Sequence, residues 1–118
     1  MTEDNVVSIW LGKLETEEIF KDFISEKYDE DGDMSSAFMT SFCIDYIDTD
    51  FQEVFFQEVI TIDDLSQASY AKSFIDQIDE DMLRSCNCAI LAYDHNYSGE
   101  IKSSGNLSFI GSYQYRKS

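Results

Sequence analysis

Basic residues are scarce in this chain and proline is missing altogether: 8 Lys and Arg stand against 24 Asp and Glu, for a formal charge of -16 over 118 residues. With no proline, no Gly/Ser-rich linker and no internal repeat, no domain boundary is predicted, and residues 1–118 read as one domain around one hydrophobic core. No apolar stretch approaches the roughly 20 residues that a membrane-spanning helix needs. The N-terminal Met1-Thr-Glu-Asp-Asn has no basic region ahead of an apolar run, so a cytoplasmic protein without a secretory signal is expected. Cys43, Cys86 and Cys88 are an odd number, and an i, i+2 pair on a strand is poorly placed for a disulfide. Reduced thiols in a reducing compartment follow.

Histidine is almost absent too. Nucleophilic catalysis needs a base beside a Ser or Cys, and the single histidine, His95, sits among turn formers, where a surface or turn-capping role is the simpler reading. Cys86 and Cys88 with His95 lack the spacing and the fourth ligand of a structural zinc site, so the cysteines read as core residues of a strand. Asp29-Glu-Asp-Gly-Asp33 holds ingredients of a calcium loop, but the sixth position counted from Asp29 is Met34 and the twelfth is Thr40, where an EF-hand needs Gly and Glu. No phosphate-cradling glycine loop occurs. No catalytic residue, metal or cofactor is predicted, and the chain is not expected to be an enzyme.

What is present argues for a folded domain. Disorder requires high charge with few apolar residues, and 43% hydrophobic and 14% aromatic content oppose it. A compact state under self-repulsion, more stable in salt, is expected. Val7, Ile9 and Leu11 alternate with Val6 and Trp10, which predicts a near-central strand covered on both faces. Thr16 can cap a helix over 17–27 with Ile19, Phe20, Phe23 and Ile24 at helical spacing. Ser35 or Ser36 can cap a short helix bearing Phe38 and Phe42, and residues 44–60 suggest one or two strands. Thr61-Ile-Asp-Asp64 starts a further helix, with Tyr70, Phe74, Ile75, Ile78 and Met82 predicted on its amphipathic face. Cys88-Ala-Ile-Leu-Ala-Tyr93 reads as a buried strand, turning at Asp94 to Gly99 into a last strand with Leu107, Phe109, Gly111, Tyr113 and Tyr115 on one face. These two are expected to pair. The fold class is α+β: a single-layer, mostly antiparallel sheet packed with two to three helices and ending in a C-terminal β-hairpin.

Between Lys27 and Lys72 there is no base at all, and these 44 residues hold eleven acids: Asp29, Glu30, Asp31, Asp33, Asp45, Asp48, Asp50, Glu53, Glu58, Asp63 and Asp64. From Gln67 onward six acids face five bases, so the excess is local. A charge run is commonly only a solvated face, but this one alternates with aromatic residues. Acidic rims around aromatic anchors suit a basic protein partner, because charge steers the encounter and a ring supplies buried contact. The predicted partner-binding residues are Asp29, Glu30, Asp31, Asp33, Asp45, Tyr46, Asp48, Asp50, Phe51 and Glu53, with Tyr46 and Phe51 as anchors. The same field repels nucleic acid and anionic membrane. A nuclease surface, built to bind phosphate, is its complement; an acidic, nucleic-acid-mimicking regulator of a host nucleic-acid enzyme is the alternative.

The strand Val-Ser-Ile-Trp-Leu-Gly12, the acid-rich helix start, the turn Tyr28-Asp-Glu-Asp-Gly-Asp33, the run Phe42-Cys-Ile-Asp-Tyr-Ile-Asp-Thr-Asp-Phe-Gln-Glu53 and the segment Ser69-Tyr70 with Ser73-Phe74 together resemble the immunity protein 22 family of bacterial polymorphic toxin systems. The resemblance spans roughly Val6 to Ile78. It implies a cytosolic protein that binds and neutralises a cognate toxin domain, and it transfers no catalytic residue.

Overall fold

The computed structural model describes residues 2–44, 47, 51–104 and 106–116, residues 2–4 by their backbone alone. The sheet is built on strand β1 (Thr2–Gly12), with β5 (Cys88–His95) antiparallel on one side and β7 (Leu107–Gln114) antiparallel on the other. Strand β4 (Gln52–Phe56) closes the β5 edge and the two-residue β6 (Ser103–Ser104) the β7 edge, giving the order β4-β5-β1-β7-β6. A separate hairpin pairs β2 (Lys27–Tyr28) with β3 (Met34–Ser35). The α+β class, the antiparallel sheet and the terminal hairpin agree with expectation, the hairpin being β6 with β7. The two long late strands do not pair with each other: β1 lies between them. Its residues are apolar toward both faces, so burying it between two partners satisfies more of the chain than leaving it at an edge.

Helical segments cover both faces. On one, α1 (Glu17–Ile24) and α2 (Ala37–Ser41) pack Phe20, Phe38, Met39 and Phe42 against Trp10, Cys88, Ile90 and Leu107. Trp10 is fully buried, edge-on to Phe38 at 4.9 Å between centroids and close to Tyr97 at 5.4 Å and Phe109 at 5.3 Å. The caps are those predicted: Thr16 accepts from Ile19 N–H and Ser36 from Met39 N–H. Helix α1 ends at Ile24, short of the predicted 27, because Lys27 and Tyr28 pair with Ser35 and Met34 in the hairpin.

On the opposite face, Val7, Ile9, Leu11, Ala89 and Leu91 meet Leu65, Ala68, Ala71, Phe74, Ile78 and Leu83. The continuous helix predicted after Thr61 is broken here into α3 (Ile62–Leu65), two 3₁₀ turns at Ala71–Ser73 and Ile75–Gln77, and α4 (Glu80–Leu83). Leu65, Ala68, Ala71 and Phe74 recur every three residues, the period of a 3₁₀ turn, and would drift around an α-helix. Tyr70 interrupts the segment outright with φ of 60°.

Strand β7 also departs from simple alternation. Ile9 pairs with Gly111 and Trp10 with Phe109, so Ile110 is an extra residue in a β-bulge, and Gly111 takes φ of 152° there. Leu107 and Phe109 therefore pack on the Trp10 face, while Ile110, Tyr113 and Tyr115 pack on the Ile9 face. At Gly12 an added Cβ would run into the Asn106 carbonyl oxygen, so the β1–β7 approach at that end requires glycine.

Candidate functional site

The predicted partner-binding residues separate by layer. Asp29, Glu30, Asp31 and Asp33 are all exposed at the tip of the β2–β3 hairpin, whose Met34 packs on the Trp10 side of the sheet. The tip is a hydrogen-bonded loop: Asp29 Oδ1 accepts from the N–H groups of Asp31 and Asp33, each at 2.9 Å, and Gly32 turns the chain with φ of 84°. Asp29 thus holds the loop, while Glu30, Asp31 and Asp33 present carboxylates to solvent. Asp45, Tyr46, Asp48 and Asp50 lie outside the described residues.

Glu53 faces the other way. In β4 it pairs with Leu91, on the Val7–Ile9–Leu11 face, whereas Val54 pairs with Ile90 on the Trp10 face. Its carboxylate is clamped by Ser69, accepting from the backbone N–H at 3.0 Å and the hydroxyl at 2.5 Å. The Tyr93 hydroxyl donates to the Ser69 carbonyl at 2.7 Å and lies 3.3 Å from Glu53 Oε1. Burial first, and then the negative Glu53, push that hydroxyl well above the ordinary tyrosine range, so it remains a donor at any physiological pH.

Glu53 and Phe51 line one cleft of about 240 Å³ together with Ser69, Tyr70, Tyr93, Asp94 and Tyr115. The Tyr70 and Tyr115 rings stack at 5.1 Å between centroids and 17° between planes, and Tyr93 stands edge-on to Tyr115 at 5.4 Å. Asp94 Oδ1 accepts from the Tyr115 hydroxyl at 2.5 Å and from the Asn5 N–H at 2.8 Å. Tyr70, Asp94 and Asn5 all have positive φ, at 60°, 56° and 65°. Phe51 is 51% exposed and Tyr70 44%, so two aromatic rings meet solvent at the mouth.

Tyr70, Tyr93, Asp94 and Tyr115 were not among the predicted site residues. They come from three separate segments, brought together by β5 and β7 flanking β1, by the Tyr93–Ser69 hydrogen bond and by the bulge that turns Tyr115 onto this face. The one local signal was an acid, Asp94, ending an apolar strand.

His95 ends β5 and is buried, 5% exposed, in place of the expected turn or surface position. Its main-chain carbonyl accepts from the buried Ser8 hydroxyl at 2.6 Å, and Ser8 Oγ in turn accepts from Tyr97 N–H at 2.9 Å, which draws the post-strand turn inward. The Nε2 atom has no hydrogen-bond partner among the described residues, and burial lowers the imidazole pKa. The cysteines stay as thiols: Cys86 and Cys88 are buried on opposite faces, and desolvation pushes Cys88 up to about 11. Among the described residues no group of three or more His, Cys, Asp or Glu could hold a metal ion, and no helix is long and apolar enough to cross a membrane.

The sequence model of one protein family, Immunity protein 22, matches residues 7–116, nearly the whole chain. No curated protein and no solved structure matches it.

Proposed function

We propose, from the premise that the chain belongs to the Immunity protein 22 family, that it works in the cytoplasm by binding and neutralising the toxin of a polymorphic toxin system, and that this toxin presents a basic, nuclease-like surface. Family membership implies the toxin-neutralising role. The observation that carries the basic partner is the distribution of charge: eleven acids and no base between Lys27 and Lys72. Carboxylates such as Glu30, Asp31 and Asp33 at an exposed hairpin tip accelerate encounter with a basic surface and are repelled by nucleic acid and anionic membrane. Inhibition is by occupancy, with no reaction catalysed by this chain.

The test is capture of the toxin encoded beside the gene, followed by association rates across ionic strength. The rate should fall by roughly tenfold or more between low and physiological salt, as steered pairs do. Lysine substitution of Glu30 and Asp31, which spares the loop-holding Asp29, should slow association and flatten that dependence. The same reversal at Asp45, Asp48 and Asp50 measures the contribution of the central run. A rate indifferent to salt would remove the electrostatic part of the proposal and leave the family role standing.

A further inference from the structure

We infer that the cleft between β4 and the Tyr70 turn is a receptor for one basic side chain of the toxin, its cationic head lying against Glu53 and the exposed Phe51 and Tyr70 rings. The inference rests on the toxin-binding reading and deepens it by naming the anchor site.

Three features converge on a cation. The first is a concave site of about 240 Å³ walled by aromatic rings, two of which meet solvent. A ring face carries the negative part of its quadrupole and attracts an ammonium or guanidinium group. Tyr70, stacked on Tyr115, is held in place to offer that face.

The second is the state of Glu53. Ser69 fills two of the roughly four acceptor positions of the carboxylate and the Tyr93 hydroxyl lies 3.3 Å from Oε1, so the carboxylate is already oriented and keeps acceptor capacity for a cation. No ion pair among the described residues involves Glu53. Lys72 and Arg116 line a separate depression across Tyr70, together with Ser73. The third is the setting: a formal charge of -16 makes a cation the ligand class that the surrounding field concentrates at a half-buried carboxylate.

This site lies on the opposite face of the sheet from the acidic hairpin, so the two make separable contributions. The hairpin bears on the rate of encounter, and the cleft on how long the complex lasts.

Nuclear magnetic resonance titration of the intact protein with N-acetyl-arginine amide and with N-acetyl-lysine amide tests the site, against N-acetyl-norleucine amide as the uncharged control. Saturable shifts at Phe51, Glu53, Ser69 and Tyr70 are expected for the cationic probes only, and the stronger of the two identifies the head group. Glu53→Gln should weaken probe binding at least tenfold. Phe51→Ala, at a half-exposed position outside both buried core clusters, should weaken it severalfold. Glu30→Lys with Asp31→Lys should leave the cleft response in place. Absence of saturable shifts, equal response to the norleucine probe, or unchanged binding in both cleft variants would overturn the inference. Toxin captured with unaltered dissociation rate by Phe51→Ala and Glu53→Gln would overturn it as well, with toxin neutralisation intact. Failure of the unaltered chain to bind the toxin would strike the functional reading itself.

Discussion

At His95 a single imidazole sets a pH dependence that the 24 carboxylates would otherwise hide. Its Nε2 atom is buried without a partner among the described residues, a cost of about 1–3 kcal/mol for the neutral ring and more for the cation. The folded-state pKa therefore lies below the unfolded value of about 6.5. Between those two values the unfolded chain binds the extra proton, so stability rises with pH. The His95 contribution is fully present above pH of about 6.5 and is lost as pH falls through the folded pKa. Denaturant unfolding of the native chain and of His95→Gln should give a stability difference that is flat at neutral pH and turns against the native chain below it. Each unit of pKa depression corresponds to about 1.4 kcal/mol, and a difference constant from pH 5 to 7.5 would contradict the burial account. Sequence placed His95 at a turn because Asp94, Asn96 and Gly99 surround it. Its main-chain carbonyl is held by the hydroxyl of Ser8, 87 positions earlier, a pairing that no local pattern exposes. The caps at Thr16, Ser36 and Thr61 were legible because a cap joins residues three apart.

At the scale of elements, the segment from α3 to α4 shows where periodicity misleads. Apolar residues at 65, 68, 71, 74 and 78 are compatible with a helix on a coarse reading, but spacing by three favours a chain of tight turns over one α-helix. Tyr70 offers the discriminating substitution. Its φ of 60° is costly for any residue with a Cβ and free for glycine, so Tyr70→Gly should be more stable than Tyr70→Ala by about 1 kcal/mol. A continuous helix would reverse that order by a similar amount, glycine being about 1 kcal/mol worse than alanine in a helix interior. Paired urea titrations decide between them. The start of the segment matches expectation: Thr61 accepts from Asp64 N–H at 3.1 Å, and Asp64 accepts from Thr61 N–H at 2.9 Å, a complete capping box. Thr61→Ala should cost about 1 kcal/mol, lowering the melting temperature by roughly 3–6 °C for a domain of this size. Strand pairing was harder to foresee than strand identity, since nothing within 88–115 says that β1 will lie between the two late strands.

For the whole molecule, the run of acids from Asp29 to Asp64 is contiguous in sequence but not confined to one face once folded. The chain passes from the β2–β3 hairpin on the Trp10 side to the sheet edge at β4, and then to α3 on the Ile9 side. The base-free stretch was legible in the sequence; its division between hairpin and cleft was not, because that depends on which face each residue of β4 takes. Only four ion pairs occur among the described residues, all on exposed side chains, and such pairs contribute about 0–1 kcal/mol each. With 24 acids against 8 bases, repulsion among carboxylates should then govern the response to salt. Raising NaCl from about 10 mM to 300 mM shortens the screening length from roughly 30 Å to under 10 Å, which relieves repulsion over most of the surface. The melting temperature should rise steeply over that range and level off above it, since further screening acts only within contacts already short. Salting-out of apolar surface would give a linear rise with no plateau, and stronger with sulfate than with chloride at equal ionic strength. A plateau common to both salts identifies self-repulsion. A melting temperature that falls with added salt would mean that the folded charges attract more than they repel, and the acidic surface would then have to be self-compensated and poorly suited to steering a basic toxin.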